Sequence, residues 1–382
     1  MRRTIFNDEH EQFRSMVRNY LEREVVPVYP LWEEAGVVPK EFFKHFGDTG
    51  VMGMNMPEEF GGGGQSDYTY NVVLQEETAR LCVTLGPLRT HLDVILPYFR
   101  KYANPEQQSR WFPRISTGEL LTAIAMSEPD AGSDLAGVRT SAERDGDDYI
   151  VNGSKTFITG GLLADLVIVL ARTHTNPNNR RDGLSLIVVE DGTSGFEKGR
   201  KLKKLGLSTQ DTAELSFNDV RVPVANRLGE ENEAFSYLAH NLPQERLAIA
   251  VGSVAQSRSA LNLALEYVRN RVVFGKPVSD FQNTKFELAS VVADVEAAEA
   301  TLDRAVIELV KGDLDPVDAA KVKLFCTEIQ GRIVDRCLQL FGGYGYMSEY
   351  PISRLYADAR VSRIYGGTSE VMKLIISKSL NL

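Results

Sequence analysis

Cysteine is scarce in this 382-residue chain, and the three present, Cys82, Cys326 and Cys337, lie far apart. An odd number without close spacing excludes a disulfide framework and the paired-cysteine patterns of zinc and redox sites, and predicts buried thiols in a reducing compartment. Histidine is equally sparse. The five, at positions 10, 45, 91, 174 and 240, show no pairing at helical spacing, so no metal is expected. No apolar run reaches the roughly 18 residues of a membrane span. The first six residues carry two arginines but no apolar stretch behind them, and acidic Asp8, Glu9 and Glu11 follow, so no signal peptide is expected. A basic excess is also missing: the net charge is -9 and the pI about 5.3, which argues against a nucleic-acid partner. These absences point to a cytoplasmic protein with no nucleic-acid and no membrane partner. A composition of 43% hydrophobic and 25% charged residues is that of a globular protein, and the length allows two or three structural units.

The first third reads as helices. Phe13, Met16, Val17, Tyr20, Leu21 and Val25 form the stripe of an amphipathic helix between Asp8 and Val26, with Asn7 as its N-cap and Pro27 and Pro30 as its stop. Further helices are expected over about 67–81 and from Pro105 onward. The run Gly61 to Gly64 has no Gly-Lys-Ser/Thr behind it, which excludes a phosphate-cradling loop of that kind and leaves a flexible turn. From about Leu121 the period shortens. Asp145-Gly146 and Asn152-Gly153 read as hairpin turns around Tyr149-Ile150-Val151, and apolar runs follow at 166–170, 184–189 and 215–217. After Gly229 helical periodicity returns, over about 233–270, 283–311, 316–345 and 352–379. The expected organisation is a helical unit over 1–120, a β unit over 121–228 and a helical unit over 229–382.

Three motifs bear on chemistry. Ala125-Met126-Ser127-Glu128-Pro129-Asp130-Ala131-Gly132-Ser133-Asp134 places backbone groups and hydroxyls after a strand, where a turn at Pro129 and Gly132 follows. Gln339-Leu340-Phe341-Gly342-Gly343-Tyr344-Gly345-Tyr346 offers backbone amides that can approach an anion closely. Ile364-Tyr365-Gly366-Gly367-Thr368-Ser369-Glu370 lies near the chain end. Taken together, the sequence resembles the acyl-CoA dehydrogenase family over nearly its whole length. The resemblance implies an α+β multidomain fold: an N-terminal α-helical domain, a middle β-barrel-like or sandwich domain, and a C-terminal four-helix bundle. It implies FAD as cofactor and oxidation of an acyl-CoA thioester to the trans-2-enoyl-CoA, on a medium- to long-chain substrate. The electrons would pass to an electron-transfer flavoprotein, and the enzyme would be a homotetramer.

The resemblance also implies site residues. Met126, Ser127, Phe157 and Thr159 would contact the flavin, Phe157 standing where tryptophan is common. Ser133, Arg246, Tyr365, Gly366 and Gly367 would contact acyl-CoA. Arg271, Phe274 and Gln282 would hold the pyrophosphate and adenine of FAD from a neighbouring subunit, and Gln339, Gly342, Gly343, Thr368 and Glu370 would complete the FAD site. One position departs from the common pattern. Most members carry the catalytic glutamate where this chain has Gly366, which would keep only its backbone N–H as a donor to the thioester oxygen.

Glu245 supplies a substitute base. In Leu242-Pro243-Gln244-Glu245-Arg246-Leu247-Ala248-Ile249, helical spacing puts Leu242, Glu245 and Ile249 on one face. A carboxyl among apolar neighbours is desolvated, which raises its pKa toward the range a general base needs. The long-chain and isovaleryl branches of the family carry their base on this helix, and this segment is most similar to the long-chain branch. A surface glutamate pairing locally is the alternative for Glu245, and Glu370 is a rival base. Two other functions stay open at this point: a non-catalytic flavin or acyl-CoA binding protein, and a flavin oxidase or monooxygenase on the same fold.

Overall fold

The computed structural model describes residues 2–381. Six helices come first: α1 (Asp8–Tyr20), α2 (Tyr29–Ala35), α3 (Lys40–Gly47), α4 (Thr69–Arg80), α5 (Leu96–Tyr102) and α6 (Pro105–Ser116). Asn7 caps α1 as expected. Its Oδ1 accepts from His10 N at 3.0 Å while its own N–H donates to His10 Nδ1 at 3.1 Å. The helix runs on through a π-helical turn over Leu21–Val25, which completes the predicted stripe. Pro30 is not a stop: it lies in the first turn of α2, where a missing N–H costs nothing. The four glycines are not a loose turn either. Gly63 and Gly64 N–H donate to Gly53 and Met56 carbonyls at 2.9 and 2.8 Å, and a Cβ at Gly62 would collide with Met56. The run is glycine because backbone packs on backbone there.

The middle of the chain forms one eight-stranded sheet: β1 (Thr122–Ala125), β2 (Ser141–Asp145), β3 (Asp148–Thr159), β4 (Leu166–Arg172), β5 (Leu184–Glu190), β6 (Phe196–Lys201), β7 (Thr212–Pro223) and β8 (Arg227–Leu228). The order is β6-β7-β3-β2-β4-β5-β8, with β1 parallel to β4. Asp145-Gly146 turns the β2–β3 hairpin as read. Asn152-Gly153 does not turn the chain: it lies inside β3, and the register against β7 shifts between Val151 and Gly153. Gly153 takes φ +145° and its Cβ position is filled by Thr140, so glycine marks a bulge here.

β4 and β5 are buried on both faces, which explains their unbroken apolar runs. Leu166, Ile168 and Leu170 join the core of the N-terminal helices, with Leu184, Leu186 and Val188. Val167, Val169, Ile187 and Val189 instead meet Tyr149, Val151, Leu215 and Phe217 in the sheet's own core.

The last third contains α7 (Ala234–Asn270), α8 (Gln282–Lys311), α9 (Pro316–Gln339), α10 (Pro351–Ala359) and α11 (Ser369–Ser379), with a small hairpin, β9 (Val272–Val273) and β10 (Lys276–Pro277), after α7. The helices share a third core that includes Leu261, Val295, Cys326 and Ile333. All three cysteines are buried. The stretch read as one helix over 352–379 is two, because Gly366 (φ +61°) and Gly367 (φ +93°) are left-handed and break it. Likewise α9 ends at Gln339 and a 3-10 turn covers Gly342–Tyr346. Val72 of α4 packs in the same core as Leu247 and Val251 of α7, so these two helices lie side by side under the 364–368 loop.

Candidate active site

Glu245 sits on α7 at 5% exposure. Tyr98 Oη donates to its Oε1 at 2.7 Å, while burial pushes the carboxyl pKa up to about 7, against the opposing pull of that bond and of Arg246. Arg246 is buried next to it, with its own pKa lowered by desolvation. One turn on, Ile249 Cδ1 occupies the place a Cβ on Gly366 would need. The face of α7 that bears Glu245 and Ile249 therefore lies against the 364–368 loop.

That loop is held from several sides. Lys323, a fully buried residue of α9, donates through Nζ to Gly367 O. Burial and the nearby Arg246 lower its pKa to about 8. Arg89 Nη2 donates to Tyr365 Oη at 3.0 Å, and its guanidinium lies 5.3 Å from that ring's centroid. Thr368 caps α11, accepting from Val371 N at 3.3 Å. Among the described residues, nothing accepts the Gly366 N–H. A cleft of about 800 Å³, counting the part open to solvent, runs from Tyr365 and Arg89 between α4 and α7.

The motif around Met126 is fixed by a buried ion pair. Glu128 accepts from Arg139 N and Thr140 N, both at 2.8 Å, and from Lys155 Nζ at 2.9 Å. Lys155 also donates to Met126 O at 3.1 Å, and Thr156 N–H donates to Ser127 O at 3.0 Å. Met126 and Ser127 thus lie against the end of β3 beside Phe157 and Thr159. Phe157 is 70% exposed at φ +61°, a conformation uncommon for an aromatic. A ring forced outward in this way offers a face to a planar partner. Thr159 Oγ1 accepts from Gln210 Nε2 at 3.2 Å. Ser133 is exposed on the turn beyond.

A second group lies at the other end of α7. Arg271 caps that helix and shares a cleft with Tyr267, Phe341, Gly342 and Gly343. Phe274, on the β9–β10 turn, is 96% exposed, again with positive φ (+49°). Gln282 and Gln339 are exposed at the start of α8 and the end of α9, and Glu370 is exposed in the first turn of α11. Among the described residues, no hydrogen bond or ring contact joins this group to Met126, Phe157 or Thr159 within one chain. The sequence reading missed Tyr98, Lys155 and Lys323. No spacing announces them, since each acts through partners distant in the chain.

Family models for the N-terminal, middle and C-terminal domains of acyl-CoA dehydrogenase match residues 7–119, 123–220 and 232–381. The chain belongs to the acyl-CoA dehydrogenase family. It is 43% identical to the mitochondrial long-chain specific acyl-CoA dehydrogenase of Sus scrofa over 99% of this chain and 88% of that one. A crystal structure of acyl-CoA dehydrogenase from Geobacillus kaustophilus superposes with a TM-score of 0.97 at 43% identity, covering 100% of both chains. Butyryl-CoA dehydrogenase from Megasphaera elsdenii superposes with a TM-score of 0.92 at 32% identity, over 99% of this chain and 100% of that one. This acyl-CoA dehydrogenase is an FAD-dependent oxidoreductase acting on acyl-CoA. Among its described helices none is long and apolar enough to cross a membrane.

Proposed function

We propose that this acyl-CoA dehydrogenase oxidises medium- to long-chain acyl-CoA thioesters with Glu245 as the base. The observation that carries the reading is the buried Glu245 carboxyl, one turn from the isoleucine that fills the side-chain space of Gly366. Its pKa, pushed up to about 7 by burial, lies in the range a general base needs to take the C2 proton and hold it. Tyr98 orients it by donating to Oε1. Gly366 N–H, which has no acceptor among the described residues, donates to the thioester oxygen and stabilises charge developing there, a contribution of about 3–4 kcal/mol at such sites. Lys323 holds the loop beside that amide by donating to the carbonyl of the following residue, Gly367.

Bound FAD supplies the acceptor for the hydride that leaves C3. Met126, Ser127, Phe157 and Thr159 hold its ring, and Arg271, Phe274, Gln282, Gln339, Gly342 and Gly343 hold its pyrophosphate and adenine portion. The second group would complete the cofactor site from a neighbouring subunit of a homotetramer. Thr368 and Glu370 border the same cofactor, while Ser133, Arg246, Tyr365 and Gly367 border the thioester. An electron-transfer flavoprotein takes the electrons onward. A structure titled for the electron transferring flavoprotein of Acidaminococcus fermentans superposes with a TM-score of 0.92, which supports that partner. A relative specific for long chains supports the chain length.

The test is anaerobic addition of straight-chain acyl-CoA thioesters to the holoenzyme. Bleaching of the flavin absorbance is expected, and its loss in Glu245→Gln with FAD still bound. An unchanged oxidised spectrum in the wild type, or near-normal bleaching in the variant, would overturn the assignment.

A further inference from the structure

The cleft between α4 and α7 is not lined as an alkyl chain alone would require. Asn71 and Gln75, one turn apart on α4, both face it, with Asp93 behind them on the π-helical turn Thr90–Ile95. All three are buried, at 2%, 6% and 2% exposure. Asn71 Nδ2 donates to Asp93 Oδ1 at 2.5 Å and Gln75 Nε2 to Oδ2 at 2.6 Å. With both NH2 groups turned to Asp93, both amide oxygens point away from it. Among the described residues, Asn71 Oδ1 and Gln75 Oε1 are then left without a donor. On the opposite side of the cleft, Ser253 donates to Ile249 O, and Gln256 Oε1 accepts from Gln330 Nε2.

Gln75 Oε1 faces α7 at Gly252, where an added Cβ would lie 3.1 Å from that oxygen. Glycine therefore keeps open the space in front of a buried acceptor. We propose that this space receives a hydroxyl group carried by the distal part of the acyl chain, whose O–H donates to Gln75 Oε1 with Asn71 Oδ1 beside it. The inference rests on the dehydrogenase reading and specifies its substrate class. A distal carboxylate is disfavoured, because it would bring an anion and a further acceptor to two acceptors backed by Asp93. An ammonium would share the cleft with the Arg89 guanidinium. A neutral hydroxyl meets neither objection.

Gly252 is seven residues beyond Glu245, about 10 Å along the helix. That is the reach of roughly eight to nine bonds of an extended chain, counted from the C2 atom that Glu245 addresses. A hydroxyl on the tenth carbon fits.

Flavin reduction in the holoenzyme, measured anaerobically by stopped flow, compares decanoyl-CoA, 6-hydroxydecanoyl-CoA and 10-hydroxydecanoyl-CoA. Sites built to bond a substrate hydroxyl discriminate strongly against the analogue lacking it. The second-order rate constant is therefore expected to be at least about tenfold higher for 10-hydroxydecanoyl-CoA than for the other two. Gln75→Leu should bring that ratio to one or below. Gly252→Ala leaves the bonds to Asp93 in place but fills the space before Gln75 Oε1, and should lower the ratio as well. Flavin content and melting temperature identify a variant that has not folded, in which case the other variant decides. A wild-type ratio near one, with decanoyl-CoA bleaching the flavin normally, would overturn the hydroxyl inference and leave the dehydrogenase reading standing. An unchanged ratio in both folded variants would overturn it too. If no thioester bleaches the flavin, the dehydrogenase reading fails and this inference goes with it.

Discussion

Replacing Glu245 by glutamine should remove activity and strengthen the fold, and the two effects share one cause. Burial raises the carboxyl pKa from 4.5 to about 7. The folded protein therefore favours the neutral acid more than the unfolded chain does. The stability this group contributes is fully present below pH 4.5, is lost as pH climbs through about 7, and stays lost above it. That difference corresponds to on the order of 3 kcal/mol at pH 8. Glutamine has no charge to bury, and its amide oxygen can still accept from Tyr98 Oη. Glu245→Gln should thus melt several degrees higher than the wild type at pH 8 and at the same temperature near pH 4. Its flavin reduction should fall by about 10²–10⁴, the usual worth of a positioned base. Wild-type flavin reduction should itself drop about tenfold per pH unit below 7, and the variant's residual rate should lose that dependence. The assays are thermal melting of the holoenzyme across pH and anaerobic flavin bleaching. Equal melting temperatures at pH 8, or a pH profile retained by the variant, would refute the argument that a desolvated Glu245 is the base.

Three further outcomes are expected. Tyr98→Phe deletes a donor that holds the Glu245 pKa down, so the pH–rate profile should move to higher pH, with FAD content unchanged. Gly366→Ala combines a left-handed backbone with a collision at Ile249; about 1–3 kcal/mol of stability should be lost, and pairing it with Ile249→Ala should recover part of that loss in melting experiments. Lys155→Met leaves the Glu128 carboxylate buried beside fewer donors, which should cost about 3–5 kcal/mol and lower the FAD content of the purified protein.

The helical and β units were legible because their periods differ. The stripe on α1, the two-sided burial of β4 and β5 and the apolar faces of α7 to α9 all follow from spacing. Misreadings arose where a local cue had two meanings. Asn152-Gly153 has the composition of a turn, yet glycine stands there to admit Thr140 beside a bulge. Pro30 opens a helix where it was read as closing one. Gly366-Gly367 falls inside the periodic stretch 352–379 and is the break between two helices. At the site, Glu245 could be picked out from its helical face together with the glycine at 366. Tyr98 and Lys323 could not, since what matters about them is a partner 147 or 44 residues away. The polar trio Asn71, Gln75 and Asp93 was equally invisible: its members become a unit only when α4 and the Thr90–Ile95 turn are set against each other.

The contact between Gly366 and Ile249 bears on how a sequence like this one can drift. A glutamate arriving at 366 by itself would meet a wall before it met a substrate, and an alanine at 249 by itself would leave a hole. Each intermediate is worse than either endpoint, so the two residues guard each other against single changes. An exchange of base between the tail and α7, such as Glu245→Gly with Gly366→Glu, should therefore fail unless position 249 is trimmed in the same step.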